Sequence, residues 1–294
     1  VVELSNGQIK LYSPQTENIN NKYKLSFSGE DTYFHDHQTL IQKITTNSNK
    51  YEIFGGGGDD ILEVDLNGVE HVEIYYDGEN NFTGTKGDAL IISKKYSPLI
   101  EFYYQNKSDG IVKIGNNTIT YVNLEPISNT GTASDIVFTY PMVNKTITIS
   151  DDGTASDGFT LINSDAAEAT TFNNPMNSIT INASSGNDVV NFNGLDNLSP
   201  PPTIIIDGGS GTNTLIIDAM GNGAIDNGSS VTLNGLYTIN YSNFTTITIN
   251  NQAPQVPTLS QWGLIILFLF LLLIGTIALK SNSPKKIYIT RVRL

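Results

Sequence analysis

Lys145-Thr146-Ile147-Thr148-Ile149-Ser150, followed at once by Asp151-Asp152-Gly153, is the stretch that decides the fold. Apolar and polar residues alternate one for one, the period of a half-buried strand. Ile and Thr fill it, and β-branched side chains pack well on a pleated surface. The Asp-Asp-Gly cluster then supplies residues that tolerate a positive φ and turn the chain. The same grammar returns in Ser178-Ile179-Thr180-Ile181-Asn182 and Tyr237-Thr238-Ile239-Asn240-Tyr241, and Asp207-Gly208-Gly209-Ser210-Gly211 makes another turn. No stretch before Pro257 carries a helical period.

Outward from these strands the chain repeats itself. Ile111–Ile127 and Val231–Ile247 align at an offset of 120, which sets Gly115 on Gly235, Thr118 on Thr238, Ile119 on Ile239, Tyr121 on Tyr241 and Asn123 on Asn243. At an offset of 128, Ile53 meets Ile181, Gly58 meets Gly186 and Asp60 meets Asp188. Asp88-Ala89-Leu90-Ile91-Ile92 echoes Asn213-Thr214-Leu215-Ile216-Ile217. These anchors predict one β-repeat unit over residues 1–127 and a second over 128–250. Gly-rich turns after strand-like runs, and Asn near turn positions where amides can stack, favour a β-solenoid (parallel β-helix-like) with coils of roughly 20–25 residues. The alternative is a pair of β-sandwich domains. The expected fold class is therefore all-β, with one transmembrane helix at the C-terminal end.

Charge narrows the function classes. The chain has 16 cations and 29 acids, a net of −13, and five of the cations lie beyond residue 279. That leaves 11 cations against 29 acids, or −18, over residues 1–279, with no Arg among them. So acidic a body lacks the clustered Lys and Arg that phosphate contacts need, so no nucleic-acid partner is expected. It suits an exported surface protein, or one that sits among divalent cations. The chain has no Cys, so neither a disulfide nor a thiol nucleophile enters the reading.

Gly55-Gly56-Gly57-Gly58-Asp59-Asp60-Ile61-Leu62-Glu63 fits the nonapeptide G-G-x-G-x-D-x-U-x. Glycines let the backbone turn tightly and expose carbonyls, and Asp offers a hard oxygen to Ca²⁺. The run resembles the RTX calcium-binding repeat, which implies Gly56, Gly58, Asp59, Asp60 and the corresponding Asp188 as candidate calcium residues. Two departures favour a plain tight turn instead. Ala183-Ser184-Ser185-Gly186-Asn187-Asp188 lacks the leading glycines, and Gly208-Gly209-Ser210-Gly211-Thr212-Asn213 has Asn in place of Asp. With Tyr121–Ile127 and Phe172–Pro175, these turns resemble the β-repeat modules of very large bacterial surface proteins, which usually serve as stalk, scaffold or adhesin.

An active site is harder to assemble. Phe34-His35-Asp36-His37 would place two imidazoles on one strand face, without a third ligand in evident spacing. His71 carries no motif. The acid pairs Asp59/Asp60, Glu63/Asp65 and Asp151/Asp152 sit in or beside turns that need Asp for backbone hydrogen bonds. A polysaccharide-active β-helix enzyme would need a Lys or Arg base beside a bound uronate, and the second unit holds one cation, Lys145, with Lys94 and Lys95 in the first. A non-enzymatic protein is expected.

The last forty residues carry an address. Val256-Pro257-Thr258-Leu259-Ser260-Gln261-Trp262-Gly263 precedes an uncharged apolar run, residues 264–279, and then the basic tail 280–294 with Lys280, Lys285 and Lys286. From Trp262 to Leu279 a helix rises about 27 Å, near the roughly 30 Å of a hydrocarbon core. Trp262 suits one interface and the lysines the other, so the positive-inside rule puts the tail in the cytoplasm and the body outside it. Residues 251–256 read as a linker and 257–263 as a sorting motif. Pro257, Thr258, Leu259, Trp262 and Gly263 before a terminal helix resemble the IPTL-CTERM sorting signal of Gram-negative bacterial surface proteins, with Val256 where that family usually has Ile. The resemblance implies an exported cell-envelope protein, held at the inner membrane, read by envelope sorting machinery and processed to the cell surface. A plain membrane anchor is the alternative. With no signal peptide at Val1, the chain is expected to be the C-terminal part of a longer precursor.

Overall fold

The structure, a computed structural model, describes residues 2–5, 8–12, 22–28, 31–36, 39–45, 49–79, 87–196, 201–233 and 236–251. Among the described residues the protein is all-β, with two large mixed sheets of thirteen and twelve strands and no helix. The sorting motif, the apolar run and the basic tail lie outside the described residues. Among the described residues no helix is long and apolar enough to cross a membrane.

The chain starts in the first sheet with β1 (Val2–Ser5) and β2 (Gln8–Tyr12), then crosses to the second for the meander β3 (Lys22–Ser28), β4 (Asp31–Asp36) and β5 (Thr39–Thr45). From there it alternates between sheets: β6 (Lys50–Phe54), β7 (Ile61–Asp65), β8 (Glu73–Asp77), β9 (Ala89–Ser93). Next β10 (Ser97–Tyr104), β11 (Gly110–Ile114) and β12 (Asn117–Val122) fold back and forth within the first sheet. β13 (Ile127–Asn129) and β14 (Ala133–Thr139) alternate again, and β15 (Thr146–Asp151), β16 (Phe159–Ser164) and β17 (Thr170–Asn173) make a switchback in the second sheet. β18 (Ser178–Asn182), β19 (Val189–Phe192), β20 (Thr203–Asp207) and β21 (Thr214–Asp218) alternate once more. A last switchback, β22 (Ala224–Asp226), β23 (Ser230–Leu233) and β24 (Thr238–Ser242), precedes β25 (Thr246–Asn250).

Pairing is parallel wherever the chain alternates and antiparallel inside the switchbacks. The first sheet runs β1-β2-β6-β8-β12-β11-β10-β14-β18-β20-β24-β23-β22, and the second β25-β21-β19-β15-β16-β17-β13-β9-β7-β3-β4-β5. Parallel register sets like on like. Ile100, Ile136, Ile179, Ile204 and Ile239 form one inward row, all fully buried or nearly so. Phe102 stacks on Phe138 with centroids 5.0 Å apart. In the second sheet Ile149, Phe192, Ile217 and Ile249 form the corresponding row. These rows meet in one hydrophobic cluster built from both sheets. The alternation read in Lys145–Ser150 is seen directly, since Ile147 and Ile149 are buried and Thr146 and Thr148 are not.

Strand ends account for many of the acids. Asp65, Asp77, Asp151, Asp207, Asp218 and Asp226 each close a strand, and each carboxylate accepts from the backbone N–H two residues on. This is the Asx turn, a local substitute for the next ladder bond.

Candidate functional site in the glycine-aspartate turns

Three turns from the first sheet to the second share one backbone. In 55–60, 183–188 and 208–213 the second and fourth positions have positive φ: Gly56 at 98° and Gly58 at 128°, Ser184 at 69° and Gly186 at 142°, Gly209 at 70° and Gly211 at 129°. The last two turns lie directly on one another. Ser210 N–H donates to Ser184 O at 2.9 Å, and Gly186 N–H donates to Ser210 O at 3.0 Å. A Cβ at Gly211 would fall 1.8 Å from Gly186 O, so glycine is required by proximity as well as by φ.

The sixth position of each turn points inward, and with Asp88 and Lys145 these residues form two buried polar ladders, Asp60–Asp88 and Lys145–Asp188–Asn213. Asp60, Asp88, Lys145, Asp188 and Asn213 are all buried. Asp60 N–H donates to Asp88 Oδ1 at 2.6 Å, Lys145 N–H to Asp188 Oδ1 at 3.1 Å, and Asp188 N–H to Asn213 Oδ1 at 2.9 Å. The side chains of Asp88, Asp188 and Asn213 thus each satisfy the backbone donor of a neighbouring rung, which a buried segment must do. At Asp88, Asp188 and Asn213 the acid or amide is engaged by the fold before it is available to a ligand.

Lys145 completes one rung with charge. Its Nζ donates to Asp188 Oδ1 at 2.9 Å and to Ala183 O at 2.7 Å, all inside the protein. The protein therefore supplies its own cation at Asp188, one of the candidate calcium residues that the resemblance implies. Asp60 and Asp188 also stand apart, because six strand steps separate β6 from β18 and β7 from β19. At about 4.8 Å per step that is roughly 29 Å along the sheet, too far to share one ion. Gly56 and Gly58 shape the turn, and Asp59 is half-buried beside it. Among the described residues no group of three or more His, Asp or Glu converges as metal ligands. His35 lies on β4, His37 lies outside the described residues, and the His71 ring pairs with Asn116 O at 2.9 Å.

Asp88 and Asn213 hold equivalent corners with different chemistry. Asn213 Nδ2 donates to Gly208 O at 2.8 Å and Asn243 O at 3.0 Å. Asn243, at φ 61°, donates through Nδ2 to Asp207 Oδ1 at 2.6 Å; Asn123, at φ 56°, does the same to Asp77 Oδ1 at 2.9 Å. A Cβ at Gly208 would lie 2.5 Å from Asn243 O and 2.9 Å from Asn213 Nδ2, and one at Gly78 would lie 2.5 Å from both Asn123 O and Asp88 Oδ2. Asp88 Oδ2 thus stands where the amide nitrogen stands, and it has no hydrogen-bond partner among the described residues. Burial pushes this carboxyl up to about 7, with the charges of Asp60 and Asp59 adding to the rise. As a neutral acid it has the O–H that the corner calls for.

Glu168, on the turn between β16 and β17, is a polar group that no sequence motif singled out. It is 3 % exposed, its Oε1 accepts from Ala169 N–H at 2.9 Å, and burial pushes its carboxyl up to about 8. No family model, curated protein or solved structure matches this chain.

Proposed function

We propose that this is an exported, cell-envelope-associated β-repeat protein of structural or adhesin-like character, directed by its C-terminal segment. The observation that carries the reading is the order of parts in the sequence: Pro257-Thr258-Leu259, Trp262-Gly263, sixteen uncharged residues, then Lys280, Lys285 and Lys286. Envelope machinery reads the motif, the apolar helix holds the chain in the inner membrane and the cations stop transfer. The body serves as stalk or scaffold and carries no catalytic centre in this reading.

The finer fold reading is an interrupted β-solenoid. Its support is that the chain gives one strand to each sheet in turn, with parallel neighbours, from β6 to β9 and from β18 to β21. The three-strand switchbacks are the interruptions. Such a body suits a spacer, because its length grows by stacking rather than by enlarging one core.

The test of sorting is intact mass on the protein recovered from inner-membrane, periplasmic and surface fractions of a Gram-negative host. Loss of the mass beyond the 257–263 region, with the body at the surface, is expected. Pro257→Ala with Trp262→Ala, leaving the apolar run whole, should abolish that processing. Full-length protein confined to the inner membrane in both forms would leave only a plain anchor.

A further inference from the structure

A cleft of about 310 Å³ opens where the first-sheet switchback meets the second-sheet one, lined by Lys107, Glu125, Pro126, Asn163, Ser164 and the turn Ala167–Ala169. Its floor is Glu168, whose Oε2 is buried and has no hydrogen-bond partner among the described residues. A buried carboxyl oxygen left this way costs free energy unless something positive or proton-donating meets it. At the rim, Glu125, Asn163 and Lys107 are exposed. Ser164 is buried, and its hydroxyl accepts from Ala166 N–H at 3.2 Å.

The charges facing Glu168 are those of Glu125 and Lys107, and the repulsion from Glu125 outweighs the attraction of Lys107. Two acids therefore share the cleft with one exposed cation that does not neutralise the inner one. The remaining side-chain donors, an amide oxygen and a hydroxyl, are hard oxygens of the kind that bind Ca²⁺ rather than a soft metal. The volume admits an ion with several waters at about 30 Å³ each, enough to complete six to eight ligands.

We propose that this cleft binds a divalent cation of the calcium type, with Glu168 as the inner carboxylate ligand, Glu125 as the outer one and Asn163 beside them. The site is separate from the glycine-aspartate ladders and does not depend on how the protein is sorted. Two carboxylates and water predict weak affinity, with a Kd of about 10⁻⁴–10⁻³ M. Binding displaces the proton that Glu168 holds at neutral pH, so affinity rises from pH 6 to about 8 and protons are released on titration.

Calorimetric titration of the full 294-residue chain with CaCl₂, in two buffers of different ionisation enthalpy, tests this. Expected is one saturable event with proton release, weakened at least about tenfold in Glu168→Gln through loss of a charged ligand. Glu125→Gln, at an exposed position where folding is not at stake, should weaken it too. Lys107→Met should tighten it by about threefold, the scale of one exposed charge interaction. Asp88→Asn, in one of the ladders, should leave it unchanged. Absence of saturable binding to about 10 mM, ten times the weakest expected Kd, overturns the proposal. So does binding that survives both glutamate substitutions or is lost in Asp88→Asn.

Discussion

Asp88 shows how one residue sets a pH response. Its carboxyl titrates near 3.9 in an unfolded chain and at about 7 in the fold. The folded value is the higher, so its stabilising contribution is complete below about pH 4, shrinks as pH rises and is gone above about 7. Asp88→Asn supplies the donor permanently, as Asn213 does, and should flatten that part of the profile. Urea unfolding of both proteins at steps between pH 4 and 8 reads it; an unchanged slope in the variant would assign the pH dependence to other groups. Lys145 is the charged counterpart. Lys145→Met leaves Asp188 buried and unpaired and should cost about 3–5 kcal/mol, while adding Asp188→Asn should recover much of that loss. Chemical denaturation of the single and double variants measures both. These roles were not legible in the sequence. Lys145 stood out only as a lone cation, and Asp88 only as part of an echo, because a ladder between rungs 25 to 43 residues apart leaves no local pattern. Glu168 was less visible still, lying in a short alanine-rich turn.

At the scale of elements, strand and turn were read well because their physics is local. Alternation placed Ile147, Ile149, Ile179 and Ile181 inside, and all four are buried. The offset of 120 between Ile111–Ile127 and Val231–Ile247 falls on two hairpins, β11–β12 and β23–β24, aligned at the second strand, where Ile119 and Ile239 are both buried, and one residue out at the first, where Val112 pairs with Ile119 but Val231 with Ile239. Asn123 and Asn243 hold the same left-handed conformation after them and bind the Asp at the end of the neighbouring strand. Strand direction is what alternation cannot give, since parallel and antiparallel partners bury the same faces; the switchbacks were therefore unforeseen. Turn contacts make a graded prediction. Gly211→Ala meets Gly186 O at 1.8 Å and should destabilise severely, well beyond the roughly 1–3 kcal/mol of a strained φ. Gly153→Ala, at φ 103° with nothing within 4 Å, should show only that strain. Thermal melting of the pair checks it, and equal losses would mean that turn stacking is unimportant.

Across the whole body, the rows of stacked side chains distribute stability along the sheets. Ile179 touches its row on both sides, through Ile136 and Ile204. Ile179→Ala should cost about 2–5 kcal/mol, as a buried truncation with little room to collapse. The melting temperature would register it, and a shift near zero would mean that the neighbouring rungs close the gap.

The switchbacks obey a parity rule. After the opening β1–β2 hairpin, each fold-back among the described residues uses three strands, an odd number, so the chain leaves travelling in the direction in which it entered and can still cross to the other sheet. Two strands would deliver it to the opposite rim. The extra strands also fall on both sheets in turn: β10–β12 lengthens the first, then β15–β17 lengthens the second. The two sheets are thereby kept in step like rails of equal gauge, and β18 and β19 arrive level. Excising one fold-back alone would leave a mismatch of two strand widths, about 9.6 Å. Lengthening the body without that mismatch requires fold-backs in matched pairs, one on each sheet.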